Sequence, residues 1–470
     1  MHRPYGRVTV PRGLTAVARN GASVGLMRLR RAEPHGTRGD VVAVGAGAGL
    51  IGAAAVVGGL LVGRGVPVHA GAAPLFALVR PYASGYSLVA VVLGVAAVWC
   101  LPGLAYRLAW PLLLGVVAAV TAAWTAVLAF VRGPGGLLDP LAAAPEYLAE
   151  VPRIAHLSLH DYLSGFVANI PVTADHPWRT HVAGHPPGLT LVFVLLDRLG
   201  LGGRWPAAAL CLLAWAVGVV AVAGTVRRLA GEPAARAALP YLVLSPAVVW
   251  AGVSADAVVA GTGAVGLYVL ARAMTGRRAA AAWAAGAGGV LGACCFLSYG
   301  APLLAFPALA VAVAARRAMP HAVAMITVAA LAALAVVLAF RLGGFAWWDG
   351  YIAVRARYFA GFGAQRPYGY WVWADLAALA VATGPAVHAG LGRLRHYTGP
   401  VRILVLGSLV AVLAATLSGM SKAEVERIWL PWILWLPVAC VALPSWRMRP
   451  WLAAQVGVAL LLEHLLLTPW

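Results

Sequence analysis

Lysine occurs once in these 470 residues, at Lys422, and carboxylates only fifteen times. Charged residues make up 11% of the chain, less than half the share usual in a soluble globular domain, which excludes a water-exposed surface over most of the molecule. The five cysteines, Cys100, Cys211, Cys294, Cys295 and Cys440, all fall inside apolar stretches. Such spacing is neither a disulfide framework nor a metal motif, and these side chains act as small hydrophobes. Residues 1–39 contain no apolar run long enough for a signal-peptide core. Internal repeats are also lacking, which weighs against transporter folds built from inverted halves.

What the chain has is apolar length. Hydrophobic residues reach 62%, and runs of about 16 to 24 residues recur from Val41 onward. A helix needs about 20 residues to cross hydrocarbon, so the fold class is an all-α polytopic membrane protein. The runs predict about thirteen transmembrane helices, with eleven as a lower count, at 41–63, 85–103, 108–131, 206–226, 237–255, 257–274, 281–298, 300–315, 320–341, 371–392, 402–418, 429–443 and 451–468. The expected organisation is a disordered basic cytoplasmic tail over 1–39 and one transmembrane domain over 40–470.

Net charge is +20, and every basic residue but Lys422 is arginine. The arginines sit between spans and in the tail without interleaved aromatics, so they set topology and do not predict nucleic-acid binding. With the N-terminus cytoplasmic, the inner turns carry Arg107, Arg227, Arg228, Arg236, Arg272, Arg277, Arg278, Arg316, Arg317, Arg393, Arg395, Arg402, Arg447 and Arg449. The expected location is the plasma membrane, as a multi-pass chain with this orientation. Pro186–Leu199 is apolar but runs only 14 residues and ends in Asp197-Arg198, so it reads as an interfacial helix. Counting it as a span would invert everything downstream and turn those arginines outward.

The outer face then owns loop 132–205, the turn at Asp256, loop 342–370 and the strip 419–428. Most of the acids gather there, and a carboxylate concentration in so acid-poor a chain marks a reaction centre at the membrane surface. Loop 132–205 is the expected catalytic loop. It carries Asp139, Glu146, Glu150, Asp161 and Asp175, with Glu146 and Glu150 at i,i+4 spacing. Paired acids on one helical face repel, which raises a pKa toward base-like values or invites a metal, although a solvated face has the same pattern. His156 and His160 are spaced for a metal but have no third ligand in register. Asp256 is either a helix cap or a functional acid, and the two roles are compatible.

Lys422 and Arg427 stand outside the membrane against the local charge bias, beside Trp429. They suit an anionic lipid phosphate, or else a salt-bridge cluster with Glu424 and Glu426. Loop 342–370 mixes aromatics with Asp349, Arg355, Arg357 and Arg366, so Trp348, Arg355 and Tyr368 belong either to a sugar or polyprenyl-phosphate groove or to an interfacial belt. Glu463 and His464, near the end of the last run, are expected to reach the outer surface.

An acidic loop, His185-Pro186-Pro187-Gly188, a short amphipathic helix, Arg204-Trp205-Pro206 entering a span, Arg227-Arg228 at its far end, and a span running from Ser245-Pro246 to Asp256 follow in that order. This order resembles the GT-C superfamily of integral-membrane glycosyltransferases, which includes protein O-mannosyltransferases and aminoarabinose transferases. The likeness covers about residues 140–270, and the rest only by span count. The segments at 146–151 and 184–188 are similar to the actinobacterial methylthioxylose or mannan-modifying transferases.

The resemblance implies a transferase that moves a sugar from a polyprenyl-phosphate donor to an acceptor hydroxyl of a cell-wall or lipid-linked glycan. It implies an outer-loop acid as base, matched in position by Asp139, with Glu146 and Glu150 as alternatives because the family's Asp-Glu pair is absent. It further implies a second acid at Asp256 and a cation on the donor phosphate at Arg427; His185, which opens the motif, and Lys422, beside Arg427, are expected substrate contacts as well. Two spans more than expected precede the loop. That chemistry requires no cofactor and leaves room for a divalent metal. The expected partners are the donor lipid, the glycan acceptor and membrane lipids. The rival class is a transporter or flippase for an envelope glycolipid.

Overall fold

The computed structural model describes residues 36–252, 254–315 and 319–468. Most of the basic tail, together with Arg316 and Arg317, lies outside the described residues. The first helix begins within the expected tail: α1 runs Gly36–Gly63. The others that organise the molecule are α2 Gly85–Arg107, α3 Trp110–Ala129, α4 Pro187–Arg198, α5 Arg204–Ala230, α6 Glu232–Val243, α7 Asp256–Thr275 and α8 Ala280–Cys294. Next come α9 Ala305–Ala314, α10 Met319–Leu342, α11 Trp347–Ala360, α12 Tyr368–Thr383, α13 Pro385–Leu394, α14 Pro400–Ser418 and α15 Met448–Leu465. Two-residue strands β1 Leu78–Val79 and β2 Leu466–Leu467 pair antiparallel, with Leu78 opposite Leu467. The protein is an all-α polytopic membrane protein.

Each expected run is helical over part or all of its length, but not every run is one continuous span. Seven of the described helices are long and apolar enough to cross a membrane: α1, α2, α3, α5, α7, α10 and α14. An eighth crossing exists if α12 and α13, bent by 108° at Gly384, count as one. The expected spans 237–255 and 429–443 are broken. After α6 the chain leaves the helix over 244–247, at Pro246, and resumes for one turn, Val248–Ala251. Residues 430–442 form a turn of α-helix and a 3-10 stretch, divided around Pro431 and Pro437. Proline removes a backbone donor and clashes with the preceding turn, so helices break there. Trp432 and Trp435 are buried in this stretch, as irregular backbone at membrane depth requires.

Side-chain contacts sort the loops to two ends. At one end Asp40 pairs with Arg393 at 2.6 Å, Arg236 donates to Leu108 O at 3.0 Å, and Arg228 reaches Thr275 Oγ1 at 3.3 Å. At the other end Tyr82 N donates to His464 O, Phe76 N to Glu426 Oε1, Arg357 to Ile170 O, and Arg132 to Leu466 O. Arg132 also faces Glu463 at 3.9 Å. Arginine-rich turns and the acidic loop therefore occupy opposite ends of the helices.

Two glycines let this end close up. Gly261 of α7 lies against the backbone of Ala214 in α5, where any side chain would strike a carbonyl oxygen. That close crossing brings the start of α7 to the start of α5, beneath the loop. Gly188 donates its N–H to Phe296 O at 3.0 Å, and a Cβ there would meet the same oxygen. Pro186 and Pro187 start α4 where no helical donor is lost. Leu189, Phe193 and Val194 of α4 are buried while Leu195 and Leu199 stay exposed, an amphipathic helix as its sequence suggests.

Candidate active site

Asp256 is the first residue of α7 and is 2% exposed. Its own N–H donates to Ser254 Oγ at 3.1 Å, and the Ser254 hydroxyl donates back to Oδ2 at the same distance. The Ser254 hydroxyl does not satisfy the carboxylate alone. Arg427 Nη1 donates to Oδ2 at 2.7 Å, and His185 Nε2 lies 3.7 Å from Oδ1. Of the two expected roles the charge pairing is the one realised: the N-cap position of α7 is Ala255, and the Asp256 carboxylate makes no cap bond to the helix.

His185 ends the segment before α4, where its ring reaches two further groups. Its Nδ1 is 2.9 Å from the Tyr147 hydroxyl and 3.0 Å from His181 O. Tyr147 is 1% exposed, and Glu146, its neighbour in sequence, is 4% exposed. His181 Nδ1 sits against Glu146 Oε1 in a close contact. One continuous array therefore runs His181–Glu146, Tyr147–His185–Asp256 and on to Arg427. Its members come from loop 132–205, the α7 start and the short helix Val425–Ile428. Burial, joined by the charges of Asp256 and Glu146, pushes the Tyr147 phenol well up, so it remains a neutral donor. Burial disfavours the charge on Arg427, but Asp256, Glu424 and Glu146 outweigh it and push its pKa up.

Beyond Arg427 the array continues. Glu424 accepts from Arg427 Nη2 at 3.4 Å on Oε2 and from Arg366 Nη2 at 3.2 Å on Oε1. Glu426, fully buried, accepts from Phe76 N at 3.0 Å, and burial pushes its carboxyl up to about 7. Tyr368 Oη donates to Leu417 O at 3.1 Å, joining the start of α12 to the end of α14.

Several expected site residues stand elsewhere. Asp139 does not join the array: it forms an exposed ion pair with Arg204 at 2.6 Å, both side chains more than half exposed. Glu150 is buried but serves the loop's own architecture, accepting from Arg179 N at 3.0 Å and facing Arg153 at 3.5 Å. The i,i+4 relation with Glu146 is not realised on one helix, because 143–150 is a run of turns ahead of the helix Val151–Ala155. Lys422 is buried and donates Nζ to the carbonyls of Gly363 and Arg366, so it ties down backbone where phosphate contact was expected. Trp348 is 68% exposed in a ring cluster with Trp347 and Tyr351, the exposed Arg355 lies over Phe359 at 5.9 Å, and Tyr368 is half-exposed. These three face outward from α11 and α12 and are not in the buried array.

His181, Tyr147, Arg366 and Glu424 are members that sequence reasoning did not select as site residues. Tyr147 had a signal in following Glu146, and His181 in preceding His185 by one helical turn. Among the described residues no three His, Cys, Asp or Glu side chains are grouped to hold a metal ion.

No family model and no curated protein matches this chain. Eight chains of solved structures do. One is the crystal structure of ArnT from Cupriavidus metallidurans in the apo state, with a TM-score of 0.43 and 16% identity over 71% of this chain and 59% of that one. The chain thus spans about three-fifths of the length of that neighbour.

Proposed function

We propose that this chain is a membrane glycosyltransferase of the GT-C kind, taking a sugar from a polyprenyl-phosphate carrier and passing it to an acceptor hydroxyl at the outer face of the plasma membrane. The observation that carries this reading is the buried Arg427–Asp256 pair joined through His185 and Tyr147 to Glu146 and His181. Acids, imidazoles and one guanidinium, drawn from segments far apart in sequence, meet at the end of the helices opposite the arginine-rich turns. The positive-inside rule makes that end the outer one and the N-terminus cytoplasmic. The ArnT likeness is compatible with this reading.

In the mechanism, Glu146 removes the acceptor's hydroxyl proton. Among the described residues it has one side-chain partner, His181, whereas Asp256 is engaged by Arg427 and Ser254. The acceptor oxygen bonds to the anomeric carbon as the bond from that carbon to the phosphate oxygen breaks. The electron pair leaves with the lipid phosphate, and Arg427, held charged, stabilises it. His181 takes the proton onward from Glu146. Asp256 and His185 position Arg427 and Tyr147. The donor sugar belongs to the cell-wall or lipid-linked glycan class, in keeping with the methylthioxylose or mannan-modifying resemblance.

A transport reading has one observation in its favour, the 108° bend between α12 and α13, since broken helices mark many transporter sites. Purified protein mixed with labelled prenyl-phosphate sugars and glycan acceptors decides between them. Sugar transfer supports the transferase. Lipid movement across proteoliposomes without transfer replaces it with the flippase.

A further inference from the structure

Glu424 lies between two buried arginines and grips each with a different oxygen. Arg366 and Arg427 are 5% and 4% exposed at the side chain, while Glu424 is 20% exposed and so occupies the open side. The Arg366 Nε atom is buried with no hydrogen-bond acceptor among the described residues. Backbone geometry holds the carboxylate there. Ala423 and Glu424 have φ of 65° and 63°, successive non-glycine residues in the left-handed region, a strained arrangement that other contacts must impose. Those contacts are on hand: Arg366 Nη1 donates to Lys422 O at 2.6 Å, Lys422 N donates to Tyr358 Oη at 3.2 Å, and Ala423 N donates to Asp375 Oδ1 at 3.1 Å. None of them uses the Glu424 side chain.

We propose that the Glu424 carboxylate is a built-in placeholder for a phosphate monoester, and that the ligand displaces it to bind Arg366 and Arg427 together. This rests on the transferase reading and adds Arg366 as a second phosphate ligand. A phosphate edge offers two acceptor oxygens much as a carboxylate does, which is why guanidinium forks bind both. Phosphate adds a third oxygen that a carboxylate lacks, and the spare Arg366 Nε–H is a donor for it. Glu424 leaves by side-chain rotation toward its open side while the anchored backbone stays in place.

The test is calorimetric titration of the purified full chain with farnesyl phosphate and, separately, with inorganic phosphate. Glu424→Gln keeps the shape and removes the competing charge, so its dissociation constant for farnesyl phosphate should fall about tenfold, the effect of one charge-assisted contact. Glu424→Asp, retracted from both arginines, should show a smaller gain, and it decides the matter if the Gln variant does not fold. Arg366→Lys in the Glu424→Gln background should abolish the gain. A gain shared by inorganic phosphate assigns the site to the phosphate group alone, and one confined to farnesyl phosphate assigns it to the lipid carrier. Unchanged or weaker binding in both Glu424 variants overturns the proposal. Placeholder binding without any sugar transfer would sink the transferase reading and leave this one standing, and transfer by the parent chain with binding indifferent to Glu424 would do the reverse.

Discussion

Arg427 and Asp256, 171 positions apart in sequence, form an ion pair at 2.7 Å with both side chains almost wholly buried. Removing one member of such a pair leaves an uncompensated buried charge, at a cost of about 3–5 kcal/mol. Arg427→Ala should therefore lower thermal stability sharply in detergent and abolish transfer. The double variant Asp256→Asn/Arg427→Gln should recover much of the stability and none of the transfer. Thermal unfolding and turnover, measured on the same preparations, check this; recovery of transfer in the double variant would show that the pair has only a structural role.

Glu146, Glu150 and Asp139 should separate cleanly. Glu146→Gln is expected to fold and to lose roughly 10²–10⁴ in kcat with little change in donor KM, as for loss of a general base. Glu150→Gln should cost about 1–3 kcal/mol of stability, because Arg179 N loses a charged acceptor in a buried loop. Asp139→Asn should be nearly silent, since exposed ion pairs contribute about 0–1 kcal/mol.

Glu426 makes stability depend on pH with a definite sign. Its folded-state pKa of about 7 lies above the ordinary 4.5, so between those values the folded protein binds a proton that the unfolded chain has released. Stability then falls as pH rises from about 4.5 to 7, by at most about 3 kcal/mol from this group, and levels off above. Chemical denaturation across that window should show the decline in the parent chain. Glu426→Gln should flatten it, and an unaltered slope would assign the effect to another group.

The orientation is open to chemistry. His160→Cys and Ala230→Cys, placed in a chain whose native cysteines are replaced, put thiols at opposite ends of the helix bundle. An impermeant thiol reagent on intact cells should tag position 160 and spare 230. Tagging of position 230 alone would reverse the topology.

Much of the architecture was legible because burial in hydrocarbon leaves a simple trace. Apolar length near 20 residues predicts a crossing whatever the neighbours are, and α1, α3, α10 and α14 fall within a few residues of their expected runs. Arginine placement separated the two ends for the same reason, since it reflects each turn's side of the membrane and not its contacts. The breaks at Pro246, Pro431 and Pro437 were visible as prolines, but an apolar count averages over them. Whether a proline kinks a span or divides it depends on the packing that resatisfies the freed backbone groups.

The composition by itself determined that this is a helical membrane protein with its acids gathered at one end, because hydropathy and charge are local properties that the bilayer reads directly. Motif order, and the resemblance it carries, brought Glu146, His185, Asp256 and Arg427 to notice. Only the tertiary structure decided that these four share one buried array, that Asp139 pairs with Arg204 outside it, that Lys422 holds backbone carbonyls, and that Arg366 and Glu424 extend the cluster. Those outcomes depend on the close crossing at Gly261, the docking of Gly188 on Phe296 and the strained turn at Ala423 and Glu424. The partner of a buried charge is whichever opposite group the packed helices bring within hydrogen-bonding distance, and sequence separation carries no record of that distance.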